Sequence, residues 1–593
     1  MKYYKETEML KNTLLKEGAY KSTKEVFERV ARLDPNAQVL AELDNHRKIV
    51  YHTAKDLLAD VESFGDGLIA MGLTDCHIAI LAENSYRYFV ADVAIVGGVG
   101  VVSPIDKDAK SDLLETLLAK CEAEAVICSA YLVDSIKAVK EKCSDIKTII
   151  TIDKKVDDLP TFEEVQEVGK RAENAGKYRD MPTRQDKLAE IIFTSGTTGA
   201  NKAVMLTGAN LTANMSNCLD VIRGSKKNNT SMSVLPMHHA TEIYTHIMPR
   251  VAAGRLTYIN GSMKDMMLNM KVFKPYIITV VPMIANAFYR TIWKEAKKQG
   301  KEEKLKKGIK LSKMLSKFGV DITHKLFKDL FAPFGGNLQQ IVCGGAPLDP
   351  EVVSGMRDLG VYIINGFGIT ECGPLVSMNA DTAGDCASIG KVCPRLEVKI
   401  SNPDENGIGE LCVRGPSVSK GYYKDEEATK QVFDNDGFFH TGDLARQNKK
   451  GELFLSGRKK NLIVLDSGKN VFPEELEQAI VTNIRYVKDA MIFEGDCEIK
   501  GVTKRLICAE IFLGDEIKAE EEIISDFRKL NQILASYKRI SYVEVLDSDF
   551  ERNASKKIMR KSAIARHKPT GGFVILFRED KKWINSSKLS ANM

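Results

Sequence analysis

The 593-residue chain carries 85 Lys and Arg against 80 Asp and Glu, a formal net charge of +5, with 44% hydrophobic and 28% charged residues. That balance belongs to ordinary globular folds, is too long for a single core, and is too weakly basic for a dedicated nucleic-acid binder. The longest apolar run, Val93 to Val102, is about half of what a membrane-spanning helix needs. The sequence Met1-Lys2-Tyr3-Tyr4-Lys5-Glu6 has no apolar signal core. Twelve cysteines lie scattered without a C-x-x-C pair, which argues against a zinc site or a disulfide framework and fits a reducing, cytoplasmic setting.

In chain order, a helix over Ala54–Met71, a strand at His77–Leu81, a helix over Lys110–Lys120 and strands at Ala125–Cys128 and Thr148–Thr151 alternate. This alternation predicts an α/β fold with parallel sheets. Gly97-Gly98-Val99-Gly100 lacks the full G-x-G-x-x-G pattern and a following helix, so it reads as a tight helix-to-strand turn.

The apolar run Leu188–Phe193 then opens into Thr194-Ser195-Gly196-Thr197-Thr198-Gly199-Ala200-Asn201-Lys202. Such a loop offers unobstructed backbone N–H groups, hydroxyl donors and a cation, a combination suited to a polyphosphate. G-x-x-x-x-G-K-[ST] cannot be laid over it, because Asn201 and Ala203 flank Lys202. On chemistry alone a flexible linker fits equally well.

Leu235-Pro236-Met237-His238-His239-Ala240-Thr241-Glu242 sets two histidines beside apolar residues, with no metal spacing. From Lys294 to Asp329 there are twelve lysines against five acids, and Leu305, Ile309, Leu311, Met314, Leu315 and Phe318 recur at near-helical spacing. This is either a core-packed helix with a solvated lysine face or a basic amphipathic helix at an anionic membrane surface. Gly344-Gly345-Ala346-Pro347-Leu348 ends one strand-like run. Asn365-Gly366-Phe367-Gly368-Ile369-Thr370-Glu371 ends another, giving a ring suited to stacking on a purine and a hard oxygen ligand suited to Mg²⁺. Asp443, in Phe438-Phe439-His440-Thr441-Gly442-Asp443, is a carboxylate able to accept two ribose hydroxyls.

A boundary is expected at Gly457-Arg458-Lys459-Lys460, dividing an N-terminal region 1–457 from a smaller unit 458–569. The smaller unit has helices at Pro473–Thr482 and Glu520–Gln532, and residues 570–593 form a tail expected to lack a fold of its own.

These motifs, with Gly468-Lys469-Asn470-Val471-Phe472-Pro473-Glu474-Glu475-Leu476-Glu477 and Arg552-Asn553-Ala554-Ser555-Lys556-Lys557-Ile558-Met559-Arg560, resemble the adenylate-forming superfamily over residues 35–565. The wording around Phe472 is most similar to long-chain fatty acyl-CoA synthetases. The resemblance implies a large multi-subdomain α/β N-terminal region and a small mobile α+β C-terminal domain. It implies that Thr194, Ser195, Gly196, Thr197, Thr198, Gly199 and Lys202 bind the ATP phosphates. Gly345, Ala346, Pro347, Phe367, Gly368 and Thr370 would take the adenine, Asp443 and Arg458 the ribose, and Thr194 with Glu371 the magnesium. His239 would orient the acid, Lys460 would be the hinge and Lys557 the catalytic lysine. Asn201 for Pro, Ala203 for Gly, Lys556 for Gly and Phe367 for Tyr depart from the family pattern.

The implied activity is ATP-dependent activation of a fatty acid to acyl-AMP, followed by transfer to CoA. An acyl- or aryl-adenylating ligase loading a carrier protein in trans and a non-catalytic nucleotide-binding scaffold are the alternatives. No nucleic-acid partner is expected. Peripheral contact with the inner membrane face through 294–329 stays open.

Overall fold

The computed structural model describes residues 20–195, 201–222, 230–316, 322–380, 384–465, 469–499, 502–514, 518–552, 558–560, 564, 573–577 and 583–586. The chain divides into two compact units. The first holds residues up to Lys399 together with Cys412–His440 and Asn448–Leu453. The second holds Ile400–Leu411, Thr441–Gln447 and the chain from Phe454 onward.

The first unit is built on two sheets. In one, the strands His77–Leu81, Val101–Pro104, Ala125–Cys128 and Thr148–Thr151 run parallel, and Leu188–Ser195 joins them beside Val101–Pro104. Buried on both faces, these strands are short and apolar rather than alternating, as a helix-covered parallel sheet requires. Thr53 caps the helix Ala54–Ala70 with a reciprocal box to Asp56, which sets its start where periodicity placed it. The glycine run after Val96 is a π-helical turn, Ile95–Val99, leading into Val101–Pro104. Its small residues are needed, since a Cβ on Gly100 would lie 2.3 Å from the Cys76 carbonyl oxygen.

In the other sheet, five strands lie side by side and parallel, in the order Tyr362–Gly368, Gln340–Cys343, Ile277–Val280, Ser231–Ser233 and Thr257–Ile259. Parallel strands point their carboxyl ends the same way, and the loops leaving that edge are where open α/β sheets bind ligands.

The second unit is an α+β fold. The long antiparallel pair Asp489–Ile499 and Val502–Phe512 is extended by Tyr542–Leu546, with helices Pro473–Asn483 and Glu520–Ile533 supplying the core residues Leu476, Ile480, Ile523 and Phe527. Within the 570–593 tail, Phe573–Phe577 and Trp583–Ser586 are strands that continue this sheet beyond Tyr542–Leu546. The apolar run Phe573-Val574-Ile575-Leu576, paired on both sides, has the β-branched and aromatic character that strands favour.

Candidate active site

The phosphate-loop motif begins and ends on two paired strands. Leu188–Ser195 pairs antiparallel with Asn201–Thr207 in a register that sets Thr194 opposite Lys202 and Ser195 opposite Asn201. The second strand was not legible in the sequence, where the whole stretch reads as loop. Two of the four departures from the family pattern, Asn201 and Ala203, fall within it. Ala203 is fully buried opposite Phe193, and the Asn201 carbonyl accepts from Lys120 Nζ at 2.6 Å. Gly196, Thr197, Thr198 and Gly199 lie outside the described residues, as does the side chain of Ser195.

A segment that the motifs do not include holds this strand pair to the glutamate. The Lys202 ammonium sits 4.3 Å from the centre of the Tyr422 ring, and the Tyr422 hydroxyl donates to Glu371 Oε1 at 3.0 Å. Backbone bonds fix the arrangement: Tyr423 N–H donates to the Ala203 carbonyl, Met205 N–H to that of Gly421, and Ser419 N–H to that of Glu371 at 2.7 Å. Asn210 completes the clamp, capping Thr207 while its amide donates to the Pro416 and Val418 carbonyls. Tyr422 therefore belongs to the site. Its only sequence signal is the Gly-Tyr-Tyr that follows Lys420, which no spacing rule connects to residue 371. Burial and the adjoining Glu371 carboxylate push the Tyr422 hydroxyl far above the ordinary phenol range, so it stays a donor.

Glu371 fits a hard cation. Only Oε1 accepts a hydrogen bond among the described residues, and the side chain is half-buried at the end of a strand rather than locked in an ion pair. Thr194, the other expected ligand, lies in the paired strand beside Lys202.

The adenine segment follows from the parallel sheet. Gly344 and Gly345 leave the carboxyl end of Gln340–Cys343, and Gly366 to Glu371 run through and beyond the end of the neighbouring strand. A Cβ on Gly344 would sit 3.2 Å from the Gly366 carbonyl oxygen, and Gly345 has φ +89, so the two glycines serve close approach and a left-handed turn respectively. Ala346 and Pro347 continue this turn, exposed. Gly368 is equally constrained, with the Pro374 carbonyl 2.5 Å from where its Cβ would be. Phe367 is only 7% exposed, which leaves little of its ring for a stacked base, while Thr370 opens the short helical turn carrying Glu371.

His239 follows the next-but-one parallel strand, Ser231–Ser233, and so lies on the same edge. Asn84 holds the loop, accepting from Met237 N–H and donating to the Leu235 carbonyl. The two histidines part company here. Burial pushes His238 down to about 4, so it is neutral, and its Nε2 has no hydrogen-bond partner among the described residues. His239 is half-exposed at 4.2 Å ring-centre separation from it. Glu242 is fully buried and accepts from His246, which in turn bonds Ser231 Oγ, so this glutamate anchors the strand that precedes the histidine.

In the second unit, Asp443 and Arg458 form an ion pair, Nε to Oδ1 at 2.8 Å, and the Thr441 hydroxyl accepts from Asp443 N–H. The structure brings these two expected ribose contacts together. Lys460 sits exposed in the helical turn Lys459–Asn461, just past Gly457. Lys556 and Lys557 lie outside the described residues, but both flanks of their segment are anchored. Arg552 pairs with Asp489 at 2.6 Å and Asp549 at 2.8 Å, and its backbone bridges to Ile558. Arg560 is bidentate to Glu477 at 2.5 Å and donates to the Ile492 carbonyl. The last residue of one motif thus holds the last residue of another.

A strand pair bracketing a hydroxyl- and glycine-rich motif, a glutamate tied to it through Tyr422 and a glycine turn on a parallel-sheet edge form an arrangement suited to a nucleotide. The AMP-binding enzyme model matches residues 27–423, and the AMP-binding enzyme C-terminal domain model matches residues 460–570. The chain belongs to the AMP-binding enzyme family and is an AMP-forming acid–thiol ligase. It is similar to long-chain-fatty-acid–CoA ligase 6 of Mus musculus, 27% identical over 503 residues, covering 77% of this chain and 70% of that protein. Among solved structures it resembles the anthranilate CoA ligase AuaEII bound to anthranoyl-AMP, with TM-score 0.75, 17% identity and coverage of 93% and 99%. It also resembles o-succinylbenzoate CoA synthetase MenE of Bacillus subtilis bound to ATP and magnesium, with TM-score 0.68, 20% identity and coverage of 90% and 98%.

Proposed function

We propose that the protein joins a fatty acid to CoA through an acyl-adenylate. The observation that carries this reading is the interlock of Lys202, Tyr422 and Glu371 where the hydroxyl- and glycine-rich motif ends. The similarity to fatty acid–CoA ligases supports the acid and the thiol.

A carboxylate is a poor acyl donor because its leaving group would be oxide. Its oxygen attacks the α-phosphorus of ATP, the bond to the β-phosphate oxygen breaks, and pyrophosphate leaves with those electrons. The charge that builds on the phosphoryl oxygens is met by the backbone and hydroxyl donors of Thr194 to Gly199, by Lys202 and by Lys557. Glu371 and Thr194 would hold magnesium, which would supply neutralisation of phosphate charge. The CoA thiolate then attacks the acyl carbon and AMP departs, leaving a thioester.

Glu371 is kept in place by the Tyr422 hydroxyl, while His239 orients the acid carboxylate. Asp443 accepts from the ribose hydroxyls, with Arg458 setting its rotamer. Lys557 serves the first half-reaction, and rotation about Lys460 removes it for the second. Lys557→Ala therefore abolishes AMP-forming activation while thioester formation from supplied acyl-AMP persists. Equal loss of both half-reactions overturns the assignment of Lys557.

A further inference from the structure

The basic helix Glu302–Ser316 has two different faces. On one, Leu305 is 5% exposed and Ile309 is half-buried, both within the core cluster that includes Phe288, Ile292 and Phe327. Leu326, itself 43% exposed, and Phe327 come so close to this helix that a Cβ on Gly308 would lie 3.2 and 3.1 Å from them.

On the other face, Lys304, Lys307, Leu311 and Met314 follow one another at intervals of three, four and three, which places them in one line along the helix. All four are exposed, Leu311 by 44% and Met314 by 52%, and exposed Lys310 adjoins them. The apolar periodicity of the segment is thus split between core and surface.

Charge on this helix is also unbalanced in space. Lys306 takes both of its acids, Glu302 at 3.2 Å and Glu303 at 2.9 Å, and Lys313 takes Asp358 at 2.7 Å. Lys304, Lys307 and Lys310 make no ion pair among the described residues. Lys294, Lys297 and Lys298, at the end of the preceding helix Pro282–Lys298, are exposed as well.

We propose that this face docks on an anionic lipid surface, with Leu311 and Met314 entering the headgroup–acyl boundary and Lys304, Lys307 and Lys310 lying against lipid phosphates. Charge complementarity selects the occupant. A groove in a protein partner would need a longer stripe of apolar anchors than the two exposed here, whereas a lipid surface requires no shape match. The inference does not rest on the fatty-acid reading, although a membrane would present such an acid.

The test is co-sedimentation of the full chain with vesicles of phosphatidylcholine, with or without phosphatidylglycerol. The protein is expected to sediment with the anionic vesicles and to remain free with the neutral ones. Each lysine contributes about fivefold to the partition coefficient and its reversal costs at least that, so Lys304→Glu with Lys307→Glu is expected to lower it at least roughly 25-fold. Leu311→Ser with Met314→Ser weakens binding further, and Lys449→Glu with Lys450→Glu, the same charge change elsewhere, leaves it near wild type. Because the substituted side chains are exposed, thermal midpoints stay at the wild-type value. Equal sedimentation with both vesicle types, none with either, or equal effects of the two charge-reversal pairs would each overturn the proposal. So would self-association without vesicles that the helix variants abolish, since a second copy would then cover the face.

Discussion

The pair between Arg560 and Glu477 carries a specific expectation, because it ties the end of the Lys557 segment to the helix Pro473–Asn483. Both side chains are largely buried, 20% and 16% exposed, and the contact is bidentate at 2.5 Å, with Glu477 also accepting from Ile492 N–H. Removing one partner of a fully buried pair costs about 3–5 kcal/mol, and partial solvation here brings the expected loss for Arg560→Met to about 2–3 kcal/mol. The cost comes mainly from Glu477, which burial pushes up to about 7 even beside Arg560, and whose carboxylate is then left stranded or must take up a proton. Glu477→Gln in the Arg560→Met background therefore restores about 1–2 kcal/mol, a coupling that a double-mutant cycle reads directly. The assay is native-state hydrogen exchange of amides in Pro473–Asn483 and Asp489–Ile499. Loosening the anchor also lowers acyl-AMP formation at least about tenfold while thioester formation from supplied acyl-AMP is spared. Additive losses in the cycle would refute the stranded-charge argument. Equal loss of both half-reactions would refute the link to Lys557.

Tyr422→Phe removes the hydroxyl that holds Glu371 and keeps the ring beneath Lys202. Adenylate formation should fall about tenfold with a raised magnesium requirement, seen in titrations of Mg²⁺ against initial rate, and unchanged magnesium dependence would contradict the role given to Glu371. Asp92 is fully buried, accepts from the Tyr244 hydroxyl at 2.7 Å, and is pushed up to about 7 by burial, with buried Glu190 raised beside it. The native state thus keeps a proton that the unfolded chain has already lost above about pH 4, so the stabilisation is whole below that pH and is lost as pH rises through about 7. Asp92→Asn removes this dependence, and its melting temperature should decline less than the wild type's between about pH 5 and pH 8. Parallel declines would contradict the assignment.

What was legible in the sequence was whatever depends on local pattern. The strands His77–Leu81, Ala125–Cys128 and Thr148–Thr151 fall where their apolar runs predicted, because a buried parallel strand writes itself as an uninterrupted apolar segment. The helices expected over Ala54–Met71 and Pro473–Thr482 are found at Ala54–Ala70 and Pro473–Asn483, the first capped by Thr53 and the second opened by Pro473. Asp443 and Arg458 were chosen separately and prove to be paired. What escaped depends on partners distant in sequence. Tyr422 matters through Lys202 and Glu371, far apart in the chain, and no periodicity encodes such a contact. The strand Asn201–Thr207 was hidden because the polar residues around Lys202 mask its pairing with Leu188–Ser195. The basic helix misled in a different way, since one helical period served two faces at once.

The most direct test of the central claim is AMP release from ATP and Mg²⁺, with and without CoA, across saturated fatty acids from acetate to stearate plus benzoate and coumarate. The account predicts CoA-dependent release that rises with the fatty acids. Adenylate formation that CoA does not turn over, a preference for the aromatic acids, or no release with any acid would contradict it.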